Sequence, residues 1–306
     1  MVRRFRRLVA ITITATMLLS GVARADETGI TITGSGWGDG VGLSQYGARA
    51  MADGGDSASQ ILKHYYPGVE LRTVSNLLLG SFFLDDDAPV WVGLLQDQTE
   101  VTFHIEGGSA ELCFDTTGQC VATATEGEKW KFGPDGSGGC AFSRQPGLGW
   151  WTGDYIRFDP PGGCSASARP AATATTIRIP KKGRSYRRGT LRFRESPTSG
   201  GLHLVAQLGV EDYVRGIQEL PDSWPGAALE AQAIASRTLI VREVLANGAA
   251  EDFDTSRLDL CGCHILDNNP DQVYGGFTAE EGHPFWQGRV GGTSGQVVTW
   301  NNEVIL

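Results

Sequence analysis

Positive charge is scarce in this chain. Its 306 residues hold 26 Lys and Arg against 35 Asp and Glu, a net charge of −9 at pH 7. Nucleic acids are held through clustered cations on their phosphates, so that partner class is excluded. Electrostatic docking on anionic polymers is disfavoured for the same reason. A sugar ligand would have to be held by hydrogen bonds and aromatic faces, for which eight Trp and seven Tyr leave room. Long apolar runs are missing after residue 22, so no membrane-spanning helix is expected beyond the N-terminus. Helical patterns are few as well, whereas short strands punctuated by Gly, 42 in all, are many. The expected fold is α+β, sheet-rich with a few helices.

What is present begins with a targeting signal. Arg3, Arg4, Arg6 and Arg7 precede an apolar run from Leu8 to Val22, and Ala23-Arg24-Ala25 is an A-x-A cleavage site. Residues 1–25 are read as a secretory signal peptide, and the product as an exported chain without a membrane span. That segment carries five arginines and no acid, so its removal takes the net charge to −14. Export permits disulfides. Cys113 and Cys120 flank a short turn, and Cys140 and Cys164 could form a second bridge; four cysteines allow three pairings.

The stretch from Leu208 to Val244 organises the rest. Leu202 to Val210 alternates like a strand, and Asn247-Gly248 ends a long helix that Ser223 can cap and whose first turn tolerates Pro225. Ala228, Ala231, Ile234, Ala235, Thr238, Leu239 and Val241 recur at helical spacing, which predicts an amphipathic helix with a face of mostly small side chains. Glu219 stands before it among Leu220, Pro221 and Trp224. Burial there would raise its pKa, so that it could donate a proton near neutral pH. The alternative is a charge that merely favours the helix N-terminus.

A second stretch, Ile32 to Leu71, alternates glycine at 34, 36, 38, 40 and 42 before two short helices, Ser44 to about Ala52 and Ser57 to Tyr66, the latter ended by Pro67-Gly68. A Gly-rich loop opening a helix suggests phosphate binding, but no Lys-Ser/Thr follows and no βαβ frame precedes it, which sets nucleotides aside.

Both stretches resemble the SpoIID/LytB family of bacterial cell-wall proteins. The first is similar to its core motif, with Leu220 where Met is usual; the second is similar to its Gly-His-Gly-Val-Gly-Met-Ser-Gln-Tyr-Gly-Ala motif, with Asp39 where His is usual. The two stand in the opposite order to that of the sporulation proteins. The resemblance implies a SpoIID-like core and a lytic transglycosylase that cleaves peptidoglycan glycan strands with Glu219 as acid, then base. Asp39, Ser44, Gln45, Tyr46, Gln232 and Arg237 become substrate contacts. For Arg237 an ion pair with Asp212 or Glu211 is an equal alternative, and Tyr65 and Tyr66 are expected in the core. The family also includes enhancers of separate amidases, so a non-catalytic glycan binder that partners a cell-wall amidase is the competing reading.

No cofactor is required by this chemistry. A structural zinc is suggested by Cys261, Cys263 and His264, with Asp271 where relatives carry a Cys before Gln272-Val273-Tyr274. Cys-x-Cys is tight for such a site, and a disulfide or free thiols are the alternatives. The chain stops where relatives continue, so the core is expected to be shortened. The resulting layout is a signal peptide (1–25), a Gly-rich segment packing on the core (26–80), a β-rich insert (81–183) and the core itself (184–306). The basic loop Lys181 to Arg188 is a solvated turn or a contact for anionic wall material.

Overall fold

Local chemistry sets the first elements. The computed structural model describes residues 42–76, 87–136, 138–145, 155–158, 164–217 and 219–305, so the expected signal peptide lies outside them. Helix α1 (Gln45–Asp53) starts at Ser44, whose hydroxyl accepts from the Gly47 N–H. Helix α2 (Ala58–Tyr65) starts with a reciprocal capping box between Ser57 and Gln60. Strand β1 (Glu70–Thr73) follows.

Among the described residues, the strands that follow form two large sheets, completed later by β14: β2 (Val90–Gln98), β3 (Val101–Glu106), β4 (Ser109–Phe114), β5 (Gln119–Thr125), β6 (Lys129–Pro134), β7 (Cys140–Arg144), β8 (Tyr155–Phe158), β9 (Ala166–Pro170), β10 (Thr176–Ile179), β11 (Arg184–Tyr186), β12 (Thr190–Glu195) and β13 (Leu202–Leu208). Beyond them come α3 (Val210–Arg215), α4 (Gly226–Asn247), α5 (Thr255–Leu260), β14 (Ile265–Leu266), α6 (Phe277–Glu281), α7 (Pro284–Gly292), β15 (Gln296–Trp300) and β16 (Glu303–Val304). Among the described residues no helix is long and apolar enough to cross a membrane.

One large sheet has the order β11-β10-β3-β6-β7-β8, the other β14-β2-β13-β12-β9-β4-β5. They pack face to face through phenylalanines: Phe193 of one lies 4.9 Å from Phe132 of the other, and Phe114 lies 5.5 Å from Phe142. The Cys140–Cys164 disulfide joins β7 to the segment just before β9, while Cys113–Cys120 closes the β4–β5 hairpin. The stretch 81–183 is β-rich but does not form a sheet of its own. Its β2, β4, β5 and β9 share a sheet with β12, β13 and β14, so the boundary at 183 separates neither layer. Hydrogen bonding between distant strands decides this, and periodicity carries no trace of it.

The chain also changes sheet between Tyr186 and Thr190: β11 lies in the first sheet and β12 in the second. Strand β13 is buried on both faces rather than alternating. It sits between β2 and β12, with Leu204 and Ala206 in the sandwich core and Val205 under the Cys261–Cys263 segment.

Helix α4 departs most from its sequence reading. It is encased on all sides, with Gln232, Ser236, Arg237 and Thr238 buried alongside Leu229, Ile234 and Val241. Each of these polar side chains has an internal partner, which is what permits burial. The Thr238 hydroxyl, for example, accepts from the Val298 N–H at 2.9 Å. Pro225 stands at the helix start in place of a Ser223 cap, and Gly248 at φ 74° ends it. On one side of α4 lie α1 and α2, their Ala48, Ile61 and Leu62 meeting Ala231 and Ile234. On another lies the small sheet β1-β15-β16, whose hairpin turns at Asn301 and Asn302 with φ 50° and 66°.

Candidate functional site

Glu219 occupies the loop that links α3 to α4, and the segment 272–275 pins that loop. Ile217 bridges Tyr274, and the Gly275 N–H donates to the Gly216 carbonyl at 2.7 Å. This pairing brings Gln272 and Val273 near the carboxyl group, where the Gln272 amide and the Val273 N–H favour its ionised form. Helix α4 supplies Gln232, whose Nε2 donates to Glu219 Oε2 at 2.8 Å. Helix α1 supplies Gln45, whose Nε2 reaches the same oxygen at 3.3 Å.

These donors favour the ionised carboxylate, but burial works against it and wins: the Glu219 pKa is raised from its ordinary value. The group is therefore a half-buried acid surrounded by neutral amides. Behind it, Ser236 Oγ accepts from Gln232 at 3.2 Å and from Gln272 at 2.7 Å, and the Tyr213 hydroxyl donates to Gln272 Oε1 at 2.9 Å.

An aromatic pair stands beside the acid. Tyr46, next to Gln45 and 73% exposed, meets the Trp224 ring edge-on at 5.1 Å, and Arg49 lies 5.3 Å from the same ring. Trp224 belongs to the Glu219 loop. Gly47 lets Tyr65 of α2 pack on α1, since a Cβ there would fall 1.7 Å from the Tyr65 hydroxyl. On the same loop, the Asp222 carboxylate accepts from the Phe285 and Trp286 N–H groups and ties the start of α7 to it.

Of the residues singled out by sequence, Gln45 and Gln232 meet at Glu219, and Tyr46 lies against Trp224 of the same loop. Asp39 lies outside the described residues. Ser44 uses its hydroxyl as the α1 cap. Arg237 is not at the site: its side chain is 0% exposed, forks onto Glu211 with two bonds of 2.8 Å and donates to the Val290 and Gln296 carbonyls. Five residues along a helix turn it to a different face from Gln232, so the two cannot serve one ligand. Of its two expected partners, Asp212 instead pairs with Arg188.

The expected metal ligands do not fit a metal. Cys261 and Cys263 form a disulfide. His264 Nδ1 accepts from the Trp91 N–H, and its Nε2 lies 2.9 Å from the Gly248 carbonyl, so that nitrogen carries the proton. Asp271 accepts from the Leu266 N–H. The basic loop is likewise engaged internally, with Lys182 and Arg184 on Asp267 and Arg188 on Glu280 and Asp212. Tyr65 and Tyr66 pack partly buried against the α1–α2 cluster.

Sequence reasoning missed Tyr213, Ser236 and Gln272. The signal for Gln272 was in view, since Gln272-Val273-Tyr274 matches a family motif, but the nearby cysteines drew it into a metal reading.

Residues 198–300, which include Glu219 and most of its partners, match the model of a family described as SpoIID, stage II sporulation protein. Over that stretch the chain is similar to the SpoIID family. Similar stretches occur in an amidase enhancer of Bacillus subtilis (strain 168), 54% identical over 50 residues, which are 16% of this chain and 7% of that protein. A stage II sporulation protein D of Bacillus amyloliquefaciens is 53% identical over 49 residues, 16% of this chain and 14% of that protein. That of Bacillus subtilis (strain 168) is 50% identical over 49 residues, with the same coverage. The similarity thus spans a small part of each relative. No solved structure matches. Gln45 and Tyr46 stand outside the SpoIID match, yet they fold onto its acid.

Proposed function

We propose that this protein remodels peptidoglycan as a lytic transglycosylase that cuts between N-acetylmuramic acid and N-acetylglucosamine. The observation that carries this reading is Glu219 itself, an acid whose burial favours the protonated form and whose immediate partners are neutral amides. Protonated Glu219 donates to the glycosidic oxygen as the C1–O bond breaks. Its carboxylate then takes the proton of the C6 hydroxyl, whose oxygen closes on C1 to form a 1,6-anhydro ring. The proton count is restored without water.

One carboxyl group suffices for this cycle, whereas a hydrolase of the usual kind needs a second at a set distance. Among the described residues, no other carboxylate contributes to the shift of Glu219. Neutral amides suit the cycle because they hold the group in both protonation states without titrating. Tyr46 and Trp224 offer ring faces to sugars. Three disulfides fit an oxidising compartment, in keeping with export to the cell wall.

A second reading is favoured by the relative named amidase enhancer. In it the same residues bind glycan without cutting and bring a cell-wall amidase to its substrate. Incubation of the protein with purified glycan strands, followed by mass spectrometry, decides between them. Anhydromuramic ends that vanish in Glu219→Gln support the enzyme; retention on glycan with no new ends supports the enhancer.

A further inference from the structure

We propose that Gln272 is a positioning residue for Glu219 and that the Tyr213 hydroxyl fixes its orientation. The catalytic consequence rests on the transglycosylase reading; the geometric one does not.

The reasoning turns on the two unlike ends of an amide. Tyr213 is fully buried on α3, stacked on Tyr274 with centroids 5.5 Å apart and planes at 15°. Its hydroxyl donates to Gln272 Oε1. That leaves the Nε2 end of Gln272 on Ser236 Oγ, which the Gln232 amide shares, and from there Gln272 favours the ionised form of Glu219. Turned the other way, the amide would set its carbonyl oxygen against the carboxylate and lose the bond to Ser236 as drawn. Ser236 Oγ in turn lies between two amides, because Gln232 Nε2 donates to it as well as to Glu219.

Tyr213, Gln272, Ser236 and Gln232 are all buried, and each holds the next. Gln45 is the outlier: it comes from α1, is only partly buried and makes the longest bond, so an arriving substrate can displace it while the buried set keeps Glu219 aimed.

The test uses the full mature chain with carboxyl-labelled glutamate, in which the Glu219 signal is assigned by its loss in Glu219→Gln. Carbon-13 NMR titrations of the unsubstituted protein, Gln272→Leu and Tyr213→Phe are run beside assays for anhydromuramic products. Removing a donor to the carboxylate raises its pKa, so the Glu219 titration moves up by on the order of one unit in Gln272→Leu and by less in Tyr213→Phe. The alkaline limb of the rate moves up with it, and kcat falls about tenfold or more with KM little changed.

Tyr213→Phe, which lacks one oxygen and keeps the ring stack, carries the test if Gln272→Leu fails to fold. An unmoved Glu219 titration in a folded variant overturns the proposal. Titrations that shift while the unsubstituted protein forms no anhydro ends uphold the positioning role and remove the transglycosylase reading alone.

Discussion

Gln45 donates to Glu219 across 174 residues of chain, at 3.3 Å. Helix α1 and the stretch that matches the SpoIID model therefore meet at one carboxyl oxygen, and the consequences can be measured.

Glu219→Gln keeps the shape of the side chain and removes the proton. Loss of a general acid lowers rates by roughly 10²- to 10⁴-fold. Release of anhydromuramic ends from glycan strands should fall by that factor while the circular dichroism spectrum is unchanged. Activity retained within threefold would remove Glu219 from the chemistry.

The same substitution should change stability in a pH-dependent way. The folded pKa of Glu219 is raised, so its contribution is fully present below the unfolded pKa and is lost as pH rises through the folded value. Glutamine carries no such loss. Thermal melts should therefore show Glu219→Gln gaining on the unsubstituted protein as pH rises from 4 to 8; a constant gap would contradict the burial of the acid.

Tyr46→Ala and Trp224→Ala test the aromatic pair. Each ring contributes roughly 0.5–1.5 kcal/mol beyond area burial. Glycan binding, followed by calorimetry with soluble chitooligosaccharides as sugar probe, should weaken about two- to tenfold in each. Tyr46 is largely exposed, so its variant should melt with the parent.

Arg237 serves architecture. Arg237→Met strips Glu211 of its partner and leaves the Val290 and Gln296 carbonyls without a donor. Glu211 remains about a third exposed, which moderates the loss to about 2–3 kcal/mol. Urea unfolding should show this, and glycan affinity of the folded fraction should be unchanged.

The disulfides should rank by the loop they close. Loop-closure entropy gives about 1.6 kcal/mol for Cys261–Cys263 and about 3.5 kcal/mol for Cys140–Cys164, whose separations are 2 and 24 residues. Paired Cys→Ala variants should differ accordingly in urea. Chelator should leave the melting temperature alone and reductant should lower it; a drop of several degrees with chelator would restore the zinc reading.

Much of the fold was legible where chemistry is local. Ser44 and Ser57 mark the starts of α1 and α2, and Gly248 the end of α4, because caps are settled within four residues. The acid and its greasy neighbours were legible too. The surroundings of α4 were not: Gln232, Ser236, Arg237 and Thr238 read as polar positions, and periodicity does not distinguish water from a buried partner.

By itself the sequence determined a sheet-rich α+β chain, its short helices and an acid poised before a long helix, since these depend on neighbours along the backbone. Tertiary structure decided which strands share a sheet, that Cys261 and Cys263 join each other, and that Gln45, Gln232 and Gln272 converge on Glu219. The convergence on Glu219 rests on hydrogen bonds between residues 13 and 174 positions apart, whose formation is set by packing of the whole chain.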